Sequence, residues 1–131
     1  MKILFATGGT AGHINPALAV ASYIREKYPD SEILFVGTAD HMESRLVPNA
    51  GFDFKTIKIS GFRRSFAPKA IVHNIKTVCQ LVTSNSACKK IIKDFKPDVA
   101  VGFGGYVSGP VLQTAVSMHI PTCSHEQNAY P

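Results

Sequence analysis

Two glycine-rich turns and one polar run carry the side chains in this sequence that are best suited to chemistry. The first turn, residues 6–16, places His13 directly after a cluster of glycines. The second turn spans residues 104–110, and the polar run Ser-His-Glu-Gln-Asn spans residues 124–128. Glycines let a backbone approach a ligand closely, and the N–H groups that open a helix attract anions. Both turns therefore favour a phosphate or diphosphate ligand, with a ligand-free strand-to-helix turn as the alternative.

Short apolar runs that alternate with helical patterns must position these groups. Strands are predicted at residues 3–6, 32–36, 52–59, 99–103 and 120–123. Helices are predicted at residues 17–28, 68–95 and 111–118, with a short helix that opens at residues 40–43 and stops at residues 48–51. Such alternation predicts an α/β fold, a Rossmann-like doubly wound parallel sheet. In sheets of this kind ligands bind outside the carboxyl ends of the strands, where both glycine turns and the polar run are expected to meet.

Three helix starts are marked by local signals. Asn15 is expected to cap the first helix, with Pro16 at its first position, and Pro110 is expected to open the last one. Asp40 and Glu43 resemble the two ends of a capping box for the second helix.

Composition narrows the class of protein. The 131 residues suit one domain, with 45% hydrophobic and 18% charged residues, and no run reaches the ~18 apolar residues of a membrane span. The net charge of +5 favours acidic partners, but no nucleic-acid-binding motif is present, so nucleic acid is not an expected partner. Cys79, Cys88 and Cys123 form no C-x-x-C pair and are predicted to be small buried residues in a reducing cytoplasm.

The motifs, taken in order along the whole chain, resemble the amino-terminal domain of the MurG family of N-acetylglucosaminyltransferases. The matching segments are residues 8–13 with 15–16, 37–40 with Glu43, 59–61, 96–99, 104–110 and 125–128. The resemblance implies one half of a GT-B glycosyltransferase, whose donor is UDP-N-acetylglucosamine (UDP-GlcNAc). The implied acceptor is lipid I, the undecaprenyl-diphosphate-linked N-acetylmuramoyl (MurNAc) pentapeptide. This half would serve mainly the acceptor, while a carboxy-terminal domain absent from this chain would hold most of the nucleotide.

The implied reaction is an inverting displacement of UDP by the C4 hydroxyl of MurNAc, which needs a base. His13 is the candidate, since an imidazole titrates near neutral pH; hydrogen bonding to the sugar or diphosphate is an equal alternative, and closing of the turn is a third. Glu126 is the second candidate, as a base or as the carboxylate that orients His125, with a loop-fixing network as the alternative. The family's donor contacts fall on Thr10, Ala11, Gly12 and Asn128. The family usually has glycine at the position of Ala11, so the turn is expected to be slightly reshaped there.

The second glycine turn precedes a helix and is expected to hold the acceptor's diphosphate, with a tight turn kept for packing as the alternative. Its predicted contacts are Gly104, Gly105, Tyr106, Ser108 and Gly109. No metal-binding motif is present, and neither a metal nor a cofactor is expected.

A basic and aromatic loop is predicted to form a membrane-surface patch, which would place the protein peripherally on the cytoplasmic face of the cell membrane. Its residues are Phe62, Arg63, Arg64, Phe66 and Lys69. The alternative is an exposed loop whose phenylalanines pack on the next helix. Because the chain ends directly after the polar run, it is expected to be the front half of a larger enzyme and inactive alone. A non-catalytic membrane-recruiting subunit of a split glycosyltransferase is the other hypothesis.

Overall fold

A computed structural model describes residues 1–8, 11–39, 42–57, 86–104 and 107–125. In chain order the elements are β1 Lys2–Ala6, α1 Ala11–Lys27, β2 Glu32–Gly37, α2 Glu43–Asn49, β3 Asp53–Thr56, α3 (described over residues 86–95), β4 Val99–Gly102, α4 Ser108–Ser117 and β5 Thr122–Ser124. The predicted strands are confirmed over the described residues, with small differences at their ends. Residues 58–85 lie outside the described part, and with them most of the predicted third helix.

The five strands form one parallel sheet in the order β3-β2-β1-β4-β5. Its register places Ala6 beside Gly102, and Gly102 beside Ser124, so β1, β4 and β5 end at one level. The predicted α/β fold is confirmed. The segments that follow these three strands leave the same edge of the sheet, as the sequence predicts.

Helices cover the two faces of the sheet, and the alternation of side chains along β1 shows how. Leu4 and Ala6 face a buried cluster that includes Ile92 of α3 and Val111 of α4. Ile3 and Phe5 point to the opposite face, toward α1 and α2. Near-continuous apolar strands are what a sheet buried on both faces requires.

An aromatic cluster fills the face under α1 and α2. The ring of Phe5 stacks on that of Phe35 with centroids 5.0 Å apart, and Phe35 contacts Phe52 at 5.3 Å. Arg25 of α1 covers the outside of this cluster. Its guanidinium lies 4.2 Å from the Phe52 ring centroid and donates a hydrogen bond to the carbonyl of Ala50, 3.2 Å away, at the end of α2. Arg25 therefore joins the two helices over the edge of the core.

The predicted start of α1 is wrong, because the helix begins at Ala11 and contains both Asn15 and Pro16. Pro16 has no N–H for the carbonyl four residues earlier, so sequence rules favour it as a first residue. Little more than one turn precedes it, and the side chain of Thr7 anchors that turn: its hydroxyl donates to the His13 carbonyl at 2.8 Å. This hydrogen bond stabilises the additional turn against the local signal.

The start of α4 is also earlier than predicted. Ser108 is its first residue and Val107 its N-cap, so Pro110 is the third helical residue. A proline there costs no intrahelical bond, because the first N–H groups of any helix lack an intrahelical acceptor.

The cysteine prediction is right for Cys88 and wrong for Cys123. Cys88 is buried in the cluster that contains Leu4 and Ala6 of β1, and burial raises the pKa of its thiol to about 11. Cys123 lies on β5, an edge strand whose three residues are all exposed. Cys79 lies outside the described residues.

Candidate functional site

The two glycine turns meet through a contact between His13 and Gly104. His13 is the third residue of α1, so it lies in the first helical turn. A Cβ built on Gly104 would lie 2.7 Å from His13 Cδ2 and 2.9 Å from His13 Nε2. Gly104 also has φ +95°, a backbone conformation that other residues adopt only with strain. Glycine at position 104 therefore lets the imidazole lie against the second turn.

The hydrogen bond of His13 decides which ring nitrogen carries a proton. Nδ1 lies 3.2 Å from the carbonyl oxygen of Gly8. A carbonyl oxygen can only accept, so Nδ1 must carry the hydrogen in this bond. In the neutral imidazole the proton is then absent from Nε2, which is the nitrogen that lies toward Gly104. This bond therefore favours the tautomer with its hydrogen on Nδ1.

The side chain of Ser108 anchors the second glycine turn. Its buried hydroxyl accepts the Gly104 N–H at 2.9 Å, and its one proton is shared between the carbonyls of Gly104, at 2.8 Å, and Ala6, at 3.1 Å. The side chain of Ser108 therefore joins the ends of β1 and β4. Any contact of Ser108 with a diphosphate is left to its backbone N–H.

Among the described residues, little covers the start of α4. Val107, the N-cap, has no polar side chain with which to cap the first N–H groups. A Cβ built on Gly109 would meet no atom of the described residues within 4 Å. The N–H groups that open a helix attract anions, and Val107 gives those of Ser108 and Gly109 no side-chain cap, so this helix start suits a diphosphate.

Glu43 is a residue whose burial the sequence does not indicate. It is the first residue of α2 and is completely buried. Met42 is the N-cap of α2, and Glu43 Oε2 accepts from the backbone N–H and the hydroxyl of Thr38, at 3.0 and 3.1 Å; the other end of the predicted capping box, Asp40, lies outside the described residues. The complete burial of Glu43 beside two glycines, Gly8 and Gly37, is the signal that only the fold provides.

The polar run after β5 is described only as far as His125. This residue is exposed, its backbone N–H donates to the carbonyl of Gly102 at 2.8 Å, and its ring centroid lies 5.1 Å from that of Phe103. The run therefore starts beside the second glycine turn. The predicted roles of Glu126 and Asn128 fall outside the described residues and stay predictions.

Several other predicted contacts also lie outside the described part of the chain. They are Thr10, Gly105, Tyr106 and the five residues of the membrane patch, Phe62, Arg63, Arg64, Phe66 and Lys69. Ala11 and Gly12 open α1, and a helical backbone is one that alanine adopts readily. The substitution of alanine for the family's glycine therefore needs no strained φ.

The described ranges contain neither a group of metal ligands nor a membrane-spanning helix. Within them, no three His, Cys, Asp or Glu side chains are grouped so as to hold a metal ion. None of the helices that the structure describes combines the length and the apolar character needed to cross a bilayer.

Comparison with known proteins decides the family. The profile of the glycosyltransferase family 28 N-terminal domain matches residues 3–131. The chain belongs to glycosyltransferase family 28. The resemblance that its motifs indicate is thereby confirmed.

The relatives that the chain matches carry a more specific name than the family does. Over all 131 residues the chain is 51% identical to an enzyme of Acetivibrio thermocellus and 50% identical to one of Lactococcus lactis subsp. cremoris. Both are named UDP-N-acetylglucosamine–N-acetylmuramyl-(pentapeptide) pyrophosphoryl-undecaprenol N-acetylglucosamine transferase. The chain covers 34% and 36% of their lengths, so it spans about a third of the curated relatives it matches.

A solved structure gives the same assignment for the fold. The crystal structure of Acinetobacter baumannii MurG matches with a TM-score of 0.81 and 29% identity, over 98% of this chain and 36% of that one. The family 28 chain thus has the architecture of the amino-terminal half of a GT-B glycosyltransferase.

Proposed function

We propose that this family 28 chain is the acceptor-side half of an N-acetylglucosaminyltransferase of peptidoglycan synthesis. The complete enzyme would move GlcNAc from UDP-GlcNAc to the C4 hydroxyl of MurNAc in lipid I, giving lipid II. A carboxy-terminal domain would hold most of the nucleotide, and this half would work at the cytoplasmic face of the membrane as a peripheral protein. The names of the relatives support the reaction and both substrates.

The observation that carries the proposal is the contact of His13 with Gly104. It joins the start of α1, suited to one diphosphate, to the turn before α4, suited to another. The reaction has two such groups, one in the donor and one in the acceptor. An imidazole between them lies where a hydroxyl of one substrate must meet the sugar of the other.

In the proposed step His13 acts as the general base. The C4 hydroxyl oxygen of MurNAc attacks C1 of GlcNAc, and the bond from C1 to the diphosphate oxygen breaks, so that UDP leaves with the electron pair. The hydroxyl proton passes to His13 Nε2, which the bond from Nδ1 to Gly8 keeps unprotonated in the neutral ring. A single displacement inverts C1 and gives the β-linkage.

The test is transfer activity in a chimera, in which this chain replaces the matching 131 residues of the Acetivibrio thermocellus relative. His13→Asn is the informative variant, because its amide N–H can still reach the Gly8 carbonyl while Nε2 is removed. We expect kcat to fall by about 10²–10⁴-fold with UDP-GlcNAc and a lipid I analogue.

The matched control is His119→Asn, which replaces an exposed imidazole after α4 whose φ of 62° asparagine tolerates. It should leave kcat unchanged. A rise in KM for UDP-GlcNAc at unchanged kcat in His13→Asn would instead assign His13 to binding. A chimera without activity, built on a folded chain that binds vesicles, would favour the recruiting-subunit hypothesis.

Peripheral binding is tested separately by sedimentation of the chain with anionic phospholipid vesicles. Arg63→Gln with Arg64→Gln should weaken binding, and it should weaken it most at low salt, because the attraction is electrostatic. Equal binding to neutral and anionic vesicles would contradict this part of the proposal.

A further inference from the structure

Glu43 is a buried carboxylate that the proposed reaction does not use. Its side chain is 0% exposed. Acidic side chains are almost never fully buried unless they are paired. Its partners therefore indicate what the carboxylate does.

Those partners are the turns that follow β1 and β2. Oε2 accepts two hydrogen bonds from Thr38, from the backbone N–H at 3.0 Å and from the hydroxyl at 3.1 Å. On its other side the carboxylate packs against Gly8: a Cβ built there would lie 2.2 Å from Oε2. A Cβ on Gly37 would lie 2.5 Å from Cγ of Glu43. The side chain fills the space between the two turns, and both turns lack a side chain where it passes.

Gly8 connects this carboxylate to the imidazole. The same residue that packs on Glu43 supplies the carbonyl that accepts the hydrogen bond from His13 Nδ1. The position of that carbonyl determines whether Nδ1 keeps its proton, and so whether Nε2 is the basic nitrogen. A shift of the Gly8 backbone toward the space left by Glu43 would lengthen a bond that is already 3.2 Å.

We propose that Glu43 is a positioning residue, whose carboxylate supports the Gly8 turn and thereby fixes the tautomer and orientation of His13. Thr38 anchors the carboxylate, the carboxylate supports Gly8, and the Gly8 carbonyl orients the imidazole. The catalytic consequence rests on the proposed function of His13, whereas the effect on the tautomer does not.

The first experiment measures the tautomer directly in the 131-residue chain. Two-bond ¹H–¹⁵N spectra of the imidazole rings separate the Nδ1–H form from the Nε2–H form, and His13→Asn identifies the signal. The wild type should show the Nδ1–H form for His13. Glu43→Ala should shift the population toward the Nε2–H form, and Glu43→Gln, which keeps the volume and an acceptor oxygen, should restore most of the wild-type spectrum.

The matched control is Glu32→Ala, which removes an exposed carboxylate from β2 that pairs with Lys2 at 3.6 Å. It should leave the His13 signal unchanged. Thr38→Val, which keeps the volume but removes one of the two donors, should give a smaller shift and serves if Glu43→Ala does not fold. Folded variants of both residues with a wild-type His13 spectrum would overturn the inference.

The second experiment measures kcat and KM in the chimera. Glu43→Ala should lower kcat, on the order of 10²-fold, with little change in either KM, because a misplaced base slows the chemical step. If His13→Asn leaves kcat intact while Glu43→Ala still changes the tautomer, the proposed function fails and the positioning inference stands. If His13→Asn is inactive while Glu43→Ala changes neither the tautomer nor kcat, the proposed function stands and the positioning inference fails.

Discussion

Replacing Gly104 by alanine should disturb both the stability of the chain and the placement of its imidazole. Gly104 has φ +95°, and its added Cβ would lie 2.7 Å from Cδ2 of His13. The new methyl group can be accommodated only if the backbone moves or if the imidazole turns away. Turning the ring breaks its hydrogen bond to the Gly8 carbonyl.

The cost of the substitution has two parts. A non-glycine residue held at positive φ costs about 1–3 kcal/mol, and overpacking a filled site costs about 1–3 kcal/mol. Because His13 can relieve part of the overlap by moving, we expect a loss of about 2–4 kcal/mol. A domain of this size is stable by about 5–15 kcal/mol, so the variant should still fold.

Gly109→Ala is the matched control, since it makes the same substitution five residues later. Gly109 is the second residue of α4, its φ is not positive, and its Cβ would meet no described atom within 4 Å. Alanine is the better helix former, so stability should be unchanged or slightly higher. Urea unfolding followed by circular dichroism compares the two variants with the wild type. Equal midpoints for Gly104→Ala and Gly109→Ala would refute the account of this turn.

Three further predictions test other parts of the structure. Arg25→Ala should lose about 1–2 kcal/mol in urea unfolding, from its contact with the Phe52 ring and its bond to a helix-end carbonyl; an unchanged midpoint would mean that the link between α1 and α2 carries no energy. In a Cys79→Ala variant, Cys123 should react rapidly with a thiol reagent at pH 8, whereas Cys88 should react slowly. With a pKa of about 11, the Cys88 thiol is about one part in a thousand thiolate at pH 8, and this fraction grows only as the pH rises. Equal reaction rates for Cys123 and Cys88 would contradict the burial of the Cys88 thiol. Gly109→Ala should weaken binding of a lipid I analogue at least tenfold, as measured by calorimetry, while sparing the fold; undiminished affinity would place the diphosphate elsewhere.

Much of the fold could be predicted from local patterns. The short apolar runs that become β1, β2 and β4 are separated by helical patterns, and this alternation is enough to indicate a parallel sheet. It also predicts which sheet edge receives the two glycine turns and His125. These features follow from the spacing of apolar and polar residues along the chain, which can be read from a single sequence.

The details that could not be predicted depend on side-chain contacts that no local sequence pattern identifies. Pro16 looks like a helix start, but the bond from Thr7 to the His13 carbonyl holds an additional turn before it. Glu43 is predicted only as part of a helix cap, and its burial between two turns is visible only in the fold. Ser108 is predicted as a ligand contact, and the fold adds a second role, because its hydroxyl joins two strand ends. In each case a polar side chain has a partner that the local signal does not identify, either near it in the chain, as His13 is to Thr7, or far from it, as Ala6 is to Ser108.

Binding of the two substrates to the purified chain tests the acceptor-side assignment most directly. The chain would be titrated by calorimetry with a short-chain lipid I analogue and with UDP-GlcNAc, while its backbone amide shifts are recorded. We predict that the analogue binds and shifts the amides of Gly104 and of residues 107–109, and that UDP-GlcNAc binds weakly. Tight binding of UDP-GlcNAc without binding of the analogue would contradict the account and would assign this half to the donor.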